Sequence, residues 1–318
     1  MADGPIESMA TEVRAFDADT VARAATLVAQ GLPVAVPTET VYGLAADARN
    51  ADAVARIYAA KGRPDFNPLI VHVPDLAAAE ALGVFGAAER TLAARFWPGP
   101  LTLVVPRTRD CPVARIATAG LDTIALRVPA HRAMRALLAA SRAPLAAPSA
   151  NASGRVSPTR AAHVLTSLDG RIALVIDDGA TTAGVESTIA RVVDGAVEVL
   201  RPGPVTAAML GAASGLPVRG RKGADVVAPG MLASHYAPGK PVRLDAASFA
   251  PDEFGIGFGA LRGDYCLSEA GDATEAAAHL FDALHAGAAS VKPRIAVAAI
   301  PADGLGAAIN DRLARAAV

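Results

Sequence analysis

Two cationic side chains, Lys61 and Arg63, stand one residue apart where a predicted helix ends and a turn leads into an apolar strand. An arginine can bind phosphate oxygens through two parallel hydrogen bonds, and a lysine can add a compact positive charge. A phosphate-rich ligand therefore suits the pair. Most neighbouring lysines and arginines are nevertheless solvated surface charges, so the pair depends for support on what the rest of the chain places beside it.

Hydroxyl and amide side chains lie on loops that follow two of the predicted strands. Thr40 follows one strand, and Ser149, Asn151 and Ser157 follow another. Loops at strand ends are where α/β proteins place ligand contacts. Ser157 also predicts the N-terminus of a helix that runs to Leu165, with free N–H groups that suit an anion. Helix capping alone explains Ser157 but leaves the other polar side chains of this loop unexplained.

Arg127 is the one charged residue in a predicted strand, residues 123–128, that otherwise has a buried pattern. A buried guanidinium group needs an anion beside it. Either a carboxylate of the protein or a bound ligand can supply it, and we favour the ligand. Ser187 and Arg201 end the two strands of a predicted hairpin with a tight turn at residues 194–195, so both side chains can lie at one rim of a sheet.

The length of 318 residues predicts two domains. Strands and helices alternate, which predicts an α/β fold. We expect a catalytic domain over residues 17–215, a linker over residues 216–240 that is rich in glycine, proline and basic residues, and a small α/β domain over residues 241–318. His235 and Tyr236 lie in the linker, so we expect it to fold over a site as a lid.

Composition excludes several classes of protein. A net charge of −1 argues against an extended non-specific nucleic-acid surface. No uncharged apolar run reaches the ~20 residues that a bilayer requires, and the N-terminus lacks the pattern of a signal peptide. Two distant cysteines suit a reducing compartment, so we expect a cytoplasmic protein. No metal-ligand spacing or Walker A sequence is present, and Asp177 and Asp178 could form a turn or bind magnesium; we favour the turn.

In order along the chain, the motifs resemble the YrdC-like family, in the two-domain form that acts as L-threonylcarbamoyladenylate synthase. The segments that carry this resemblance are residues 37–44, 61–67, 97–102, 127, 148–151, 184–188 and 200–203, together with the linker sequence at residues 235–238. The resemblance implies a YrdC-like twisted mixed sheet with helices and a concave basic groove, followed by a small Rossmann-like α/β domain.

The resemblance also implies the reaction of L-threonine, bicarbonate or CO2, and ATP to give threonylcarbamoyl-AMP and pyrophosphate. Mg2+ would accompany ATP, no metal site of the protein is implied, and a tRNA threonylcarbamoyl transferase would use the product. Lys61 and Arg63 would be catalytic. The implied ATP-binding residues are Lys61, Arg63, Asn67, Thr123, Ser149, Asn151, Ser157, Arg201 and Tyr236. The implied threonine-binding residues are Thr40, His72, Arg127, Ala147 and Ser187.

Two alternatives remain open from the residues. A non-catalytic RNA-binding module is suggested by the basic cluster of Arg219, Arg221 and Lys222, but the net charge and the lack of interleaved aromatic residues oppose it, so direct tRNA binding would be weak. A carbamoyl-adenylate-forming enzyme could instead use another carbamoyl source, such as carbamoyl phosphate.

Overall fold

The computed structural model describes residues 10–63, 67–221 and 235–317 of the chain. These ranges contain the strands β1 (Glu12–Ala15), β2 (Val34–Pro37), β3 (Tyr42–Asp47), β4 (Ile70–His72), β5 (Leu101–Pro106), β6 (Thr123–Arg127), β7 (Leu145–Ala146), β8 (Leu174–Asp177), β9 (Thr188–Val193), β10 (Ala196–Arg201), β11 (Val218–Gly220), β12 (Val242–Ala246), β13 (Glu253–Gly257), β14 (Tyr265–Cys266) and β15 (Arg294–Ala298). The helices are α1 (Ala18–Ala29), α2 (Ala51–Lys61), α3 (Leu76–Glu80), α4 (Ala87–Phe96), α5 (Arg132–Ser141), α6 (Ala161–Leu168), α7 (Ala207–Ser214), α8 (Ala273–Ala289) and α9 (Gly306–Ala316).

Eleven of the described strands form one large mixed sheet in the order β1-β8-β2-β3-β7-β4-β6-β5-β9-β10-β11. Within it β2 pairs with β3 antiparallel, whereas β4 pairs with β6 parallel. The other four form a smaller sheet in the order β12-β15-β13-β14, in which every pairing is parallel. Parallel pairing requires crossover connections, and α8 supplies the one between β14 and β15. This architecture confirms the predicted α/β fold with a mixed sheet and a smaller C-terminal α/β unit.

The large sheet extends beyond the bounds predicted for the catalytic domain. β1 pairs with β8, and β11 pairs with β10, so residues 12–15 and 218–220 both belong to this sheet. The predicted domain began at residue 17, and its linker began at residue 216. Residues 222–234 of that linker lie outside the described residues. The three-part division therefore stays a prediction.

Helix α2 has the boundaries that its sequence predicts. The Asn50 side chain accepts hydrogen bonds from the N–H groups of Asp52 and Ala53, and Gly62 ends the helix in the left-handed conformation at φ 57°. Lys61 is the last residue of the helix, and Arg63 follows immediately after the glycine. The two cations are thus fixed by the end of a helix rather than by a free loop.

The helix start predicted at Ser157 is wrong. Helix α6 begins at Ala161, and its N-cap residue, Arg160, makes no side-chain capping bond. The Ser157 hydroxyl instead donates to Glu186 at 2.5 Å, and the Pro158 carbonyl accepts the N–H of Tyr42 at 2.8 Å. These contacts with distant segments hold the chain extended where its local sequence favours a helix.

The loop that carries Thr40 spans residues 38–41, between β2 and β3. Thr38 closes a turn in which its N–H and its hydroxyl both donate to the carbonyl of Val41. Strand β3 then begins at Tyr42. Thr40 is held inside this turn, so it faces the sheet from a rigid position.

The core of the C-terminal unit includes side chains from outside that unit. Val41, Val156 and Val185 of the large unit and Tyr236 of the linker belong to the same buried cluster as residues of α8 and α9. Tyr236 stacks on Phe281 of α8 with ring centroids 5.4 Å apart. The two units therefore share a hydrophobic interface.

Candidate active site

Nine of the predicted site residues meet in one cavity. They come from loops and strand ends that are far apart in sequence but adjacent in the sheet, because β3, β7, β4 and β6 are neighbours. These nine lining residues are Thr40, Arg63, His72, Arg127, Ala147, Ser149, Ser187, Arg201 and Tyr236.

The other five predicted residues do not line the cavity, but four of them lie directly behind the residues that do and are hydrogen-bonded to them or to each other. Lys61 and Asn151 are joined by a hydrogen bond from the Lys61 ammonium to the Asn151 carbonyl. The Asn67 carbonyl accepts from Arg63, and Ser157 donates to the lining residue Glu186. Thr123 is the exception. It begins β6, the strand that Arg127 ends, and therefore lies roughly 13 Å from Arg127 along the strand.

Arg63 and Lys61 are both buried, which is unusual for cations. The Arg63 Nη2 donates to the carbonyls of Asn67 at 3.3 Å and Pro68 at 3.1 Å. Burial lowers the pKa of Arg63 to about 10, so it remains charged at neutral pH. Burial, and then the charge of Arg63, lower the pKa of Lys61 well below its usual value, while its Nζ donates to the carbonyls of Ser149 and Asn151. The lysine thereby holds the loop that carries Ser149 against α2.

Arg127 has a carboxylate of the protein beside it, which is the alternative that we did not favour. Its Nη2 lies 2.7 Å from Oε1 of Glu39, its Nη1 donates to the Thr40 hydroxyl at 2.9 Å, and its Nε donates to the Gly99 carbonyl at 3.2 Å. Burial raises the pKa of Glu39, but the charge and hydrogen bonds of Arg127 outweigh that effect and hold it below its usual value. The protein itself thus supplies one anion, and Arg127 still faces the cavity.

His72, whose strand pairs with that of Arg127, is neutral. Burial, and then the nearby charge of Arg127, lower the pKa of His72 to about 3. Neither ring nitrogen has a hydrogen-bond partner within the described part of the chain. A neutral imidazole can both donate and accept, so His72 is suited to a hydroxyl group of a ligand.

Ser187 and Arg201 lie together, as the hairpin predicted. Arg201 donates to the Ser187 carbonyl through Nε at 3.1 Å and through Nη2 at 2.9 Å, and its Nη2 also reaches the Ser187 hydroxyl at 3.2 Å. Thr102, a residue that the sequence analysis did not single out, places its hydroxyl 2.8 Å from that of Ser187. Two polar side chains therefore fix the orientation of the serine.

Glu186 and Arg312 were not among the predicted site residues. Glu186 lines the cavity, and its Oε2 accepts from Nε of Arg312 of α9 at 3.0 Å. A signal for Arg312 was present, since it falls on the apolar face of α9 between Ile309 and Ala316. A charge on an apolar face predicts a buried partner, which here is Glu186.

Several buried polar atoms around the cavity have no hydrogen-bond partner among the described residues. Buried polar groups in folded proteins are nearly always paired, so such a cluster indicates a ligand with many polar atoms. The atoms are Nε of Arg63, Oδ1 of Asn67, both ring nitrogens of His72, Oδ1 of Asn151 and Nδ1 of His235.

The protein offers little to bind a metal ion directly. Within residues 10–63, 67–221 and 235–317, no group of three or more His, Cys, Asp or Glu side chains is placed to hold one. The two carboxylates beside the cavity, Glu39 and Glu186, are already paired with arginines. Asp177 accepts the N–H of Gly179, and Asp178 binds Arg132, so this carboxylate pair forms the turn that we favoured.

The fold and the site define an α/β protein with a cationic small-molecule pocket beside the junction of its two units. None of the described helices is long and apolar enough to cross a membrane.

Comparisons with known proteins agree with this description. Residues 26–203 match the Sua5, YciO and YrdC family, described as "Telomere recombination", and residues 197–318 match the "Threonylcarbamoyl-AMP synthase, C-terminal domain". The threonylcarbamoyl-AMP synthase of Bacillus subtilis is 42% identical over 93% of this chain and 92% of its own length. The synthase of Pyrococcus abyssi is 45% identical over 69% of this chain and 66% of its own length.

A solved structure has the same two-unit arrangement. The P. abyssi Sua5 complexed with L-threonine superposes with a TM-score of 0.87 at 35% identity, over 96% of this chain and 98% of that one. The chain belongs to the threonylcarbamoyl-AMP synthase family, and its activity is that of a nucleotidyltransferase.

Proposed function

We propose that the cavity binds ATP and L-threonine head to head and joins them through a carbamate made from bicarbonate or CO2. One observation carries this proposal: nine of the fourteen predicted site residues, from separate loops, line a single cavity. Cationic side chains and hydroxyl groups in one cavity suit a triphosphate together with an amino acid. The TM-score of 0.87 to a protein complexed with L-threonine supports the amino-acid half.

In this proposal Arg127 binds the carboxylate of threonine, and the neutral His72 and Ser187 contact its polar groups. The unprotonated threonine amine first attacks CO2 and releases one proton to water, which gives a carbamate; bicarbonate would first lose hydroxide to supply the CO2. A carbamate oxygen then attacks the α-phosphorus of ATP, the bond to the bridging oxygen breaks, and pyrophosphate leaves with the electron pair. No side chain forms a covalent bond, so catalysis consists of positioning and of neutralising charge.

Arg63 and Arg201 neutralise charge on the triphosphate, and Ser149 and Asn151 orient it. Lys61 contributes by holding their loop in place and by adding positive charge when it is protonated. Mg2+ would enter bound to ATP rather than to protein carboxylates, because Glu39 and Glu186 are already paired. The ion would offset the charge that develops on the leaving pyrophosphate.

Tyr236 closes the nucleotide side of the cavity. It is buried, it lines the cavity, and its backbone is held in the left-handed region at φ 67°. A non-glycine residue in this region is strained and persists only where its surroundings impose it. Closure excludes water, which protects the carbamate and the mixed anhydride from hydrolysis. Because the product is labile, a tRNA threonylcarbamoyl transferase that receives it soon after release is the expected partner.

The test is threonine-dependent exchange of labelled pyrophosphate into ATP, together with incorporation of labelled bicarbonate into the adenylate. Arg63→Met should lower kcat/KM for ATP at least 30-fold, because it removes a buried charge of the cavity. Arg90→Met, which removes an exposed arginine paired with Glu80, is the matched control and should act as wild type. An undiminished rate in folded Arg63→Met protein would refute the assignment of Arg63.

No separate observation favours the two alternatives, the non-catalytic RNA-binding module and the enzyme that uses another carbamoyl source. Arg219 of the basic cluster lies 3.6 Å from a carboxylate oxygen of Asp194 and 4.0 Å from one of Glu198, so its charge is partly compensated. Lys222 lies outside the described residues. Carbamoyl phosphate, added in place of threonine and bicarbonate, tests the other carbamoyl source in the same exchange assay.

A further inference from the structure

Arg312 is a fully buried arginine of the C-terminal unit that reaches the active-site wall. None of its side-chain surface is exposed. Its Nε donates to Oε2 of Glu186 at 3.0 Å, its Nη1 donates to the Pro202 carbonyl at 2.8 Å, and its guanidinium lies 5.7 Å from the ring centroid of Tyr236. One side chain thus contacts three segments that surround the nucleotide side of the cavity.

The loop that carries Glu186 is held by the C-terminal unit at two further points. Gly184 adopts φ 68°, and a Cβ atom there would lie 2.2 Å from the Ala277 carbonyl oxygen of α8. Val185 is completely buried and belongs to the hydrophobic core of the C-terminal unit. Residues 184, 185 and 186 each contact that unit, and residue 187 faces the cavity.

The opposite side of the same loop is also closely packed. A Cβ atom at Gly203 would lie 2.5 Å from the N–H nitrogen of Thr188 and 2.7 Å from the Glu186 carbonyl oxygen. The loop is therefore clamped between residues 201–203 and the C-terminal unit. The backbone of Glu186 and Ser187 is therefore in close contact with other segments on both sides.

Glu186 connects the loop to Ser157, a predicted ATP-binding residue. Its Oε1 accepts the Ser157 hydroxyl at 2.5 Å, and its Oε2 accepts from Arg312. Burial raises the pKa of Glu186, but the charges of Arg312 and Arg201 outweigh that effect and lower it to about 2. The carboxylate is therefore ionised, and it binds the serine and the arginine at the same time.

We propose that Arg312 is a positioning residue of the synthase reaction: through Glu186 it fixes Ser157 and the 184–187 loop, so that the cavity is complete only when the C-terminal unit is docked. The proposal rests on the function proposed above and assigns the C-terminal unit a direct part in it. The competing view is that the Arg312–Glu186 pair only stabilises the fold, since buried ion pairs are weak evidence for any further role.

The test uses full-length protein with the substitutions Arg312→Met, Arg312→Lys, Glu186→Gln and the double variant Arg312→Met/Glu186→Gln. Folding is checked by circular dichroism and thermal melting, and assays are run at least 15 °C below each melting temperature. Arg262→Met is the matched control, because that arginine of the same unit is exposed and forms an ion pair with Glu269. It should retain wild-type kinetics.

Arg312→Met is expected to lower kcat/KM for ATP at least 30-fold in folded protein. Arg312→Lys should recover at least a tenth of the wild-type value, since it restores a positive charge near Glu186. The double variant should have a kcat/KM for ATP no lower than that of the less active single variant, because both substitutions break the same contact. Melting temperatures that fall while kcat and both KM values stay within twofold of wild type would leave only a structural role and overturn the proposal.

Failure of the proposed function can be distinguished from failure of this inference. If the wild-type protein shows no threonine-dependent exchange, the proposed function fails, and Arg312 is then tested by titration calorimetry with Mg-ATP and with L-threonine. At least a tenfold loss of ATP affinity in Arg312→Met, with Arg262→Met unchanged, supports the positioning role. Equal affinity in both variants rejects it.

Discussion

Replacing Arg127 by methionine should weaken the binding of threonine while leaving that of ATP nearly unchanged. Methionine keeps much of the volume of the side chain but removes the guanidinium group that contacts Glu39, Thr40 and Gly99. Of the cations that line the cavity, Arg127 lies beside His72 and Thr40, at the end that we assign to threonine. The loss should therefore fall on one substrate.

The size of the effect follows from the kind of contact that is lost. A hydrogen bond to a charged group contributes about 2–3 kcal/mol when it is buried, which corresponds to a rise of about 30- to 150-fold in the KM for threonine. Arg127→Met also leaves the partly buried Glu39 without its partner, and breaking a buried pair of this kind costs about 3–5 kcal/mol of folding free energy. The double variant Arg127→Met/Glu39→Gln removes the unpaired charge and separates stability from binding.

The assay is initial-rate pyrophosphate release with threonine varied at saturating ATP, and then with ATP varied at the highest attainable threonine. Arg132→Met is the control, because this arginine is 70% exposed and pairs with Asp178 nearby. Its threonine KM should equal that of wild type. A threonine KM within threefold of wild type in the folded double variant would refute the assignment of Arg127 to the threonine carboxylate.

Three further outcomes are expected. Thr102→Val removes the hydroxyl that lies 2.8 Å from that of Ser187 and should raise the KM for threonine about fivefold, a loss of ~1 kcal/mol; an unchanged KM would count against this contact. Gly184→Ala should lower the free energy of unfolding in urea by ~2 kcal/mol or more, because alanine is strained at φ 68° and its Cβ meets α8; equal urea midpoints would contradict that packing. Burial lowers the pKa of His72 and His235 to about 3, so below about pH 6.5 the unfolded chain takes up protons that these folded histidines do not. The free energy of unfolding should therefore be full above that pH and should fall by ~1 kcal/mol per histidine for each pH unit below it. Melting temperatures that are equal at pH 7.5 and 5.0 would disprove this expectation.

The parts of the fold that were predicted correctly depend on local chemistry. Helix α2 has an Asn50 N-cap and a Gly62 C-cap, as its sequence predicts. Caps, apolar spacing and turn residues act within a few positions of the chain, so a single sequence reveals them. The paired strands β9 and β10 are of the same kind, because a tight turn joins them.

The parts that were missed depend on contacts between distant segments. Ser157 reads locally as a helix start, but Glu186 accepts its hydroxyl across 29 positions of sequence. Strand β11 lies in a stretch with no clear period and is defined by its pairing with β10. Sequence alone does not specify which distant segment supplies such a partner.

The candidate site likewise contains residues that the sequence predicted and supporting residues that it did not. The motifs assigned a role to most of the cavity-lining side chains, but they assigned none to two residues behind them: Glu39, which pairs with Arg127, and Thr102, whose hydroxyl contacts that of Ser187. Both are supporting residues whose role exists only once the β2–β3 loop lies beside β6 and β5 pairs with β9. Arg312 was detectable as a charge on an apolar helix face, although its partner was not.

The most direct test of the central claim is a crystal structure of the chain with L-threonine and a non-hydrolysable ATP analogue. We predict that both ligands occupy the one cavity, with the threonine carboxylate within hydrogen-bond distance of Arg127, the phosphate groups against Arg63 and Ser149, and the threonine amine facing the α-phosphorus. Ligands found in separate cavities, or phosphate groups against any other surface, would contradict the account.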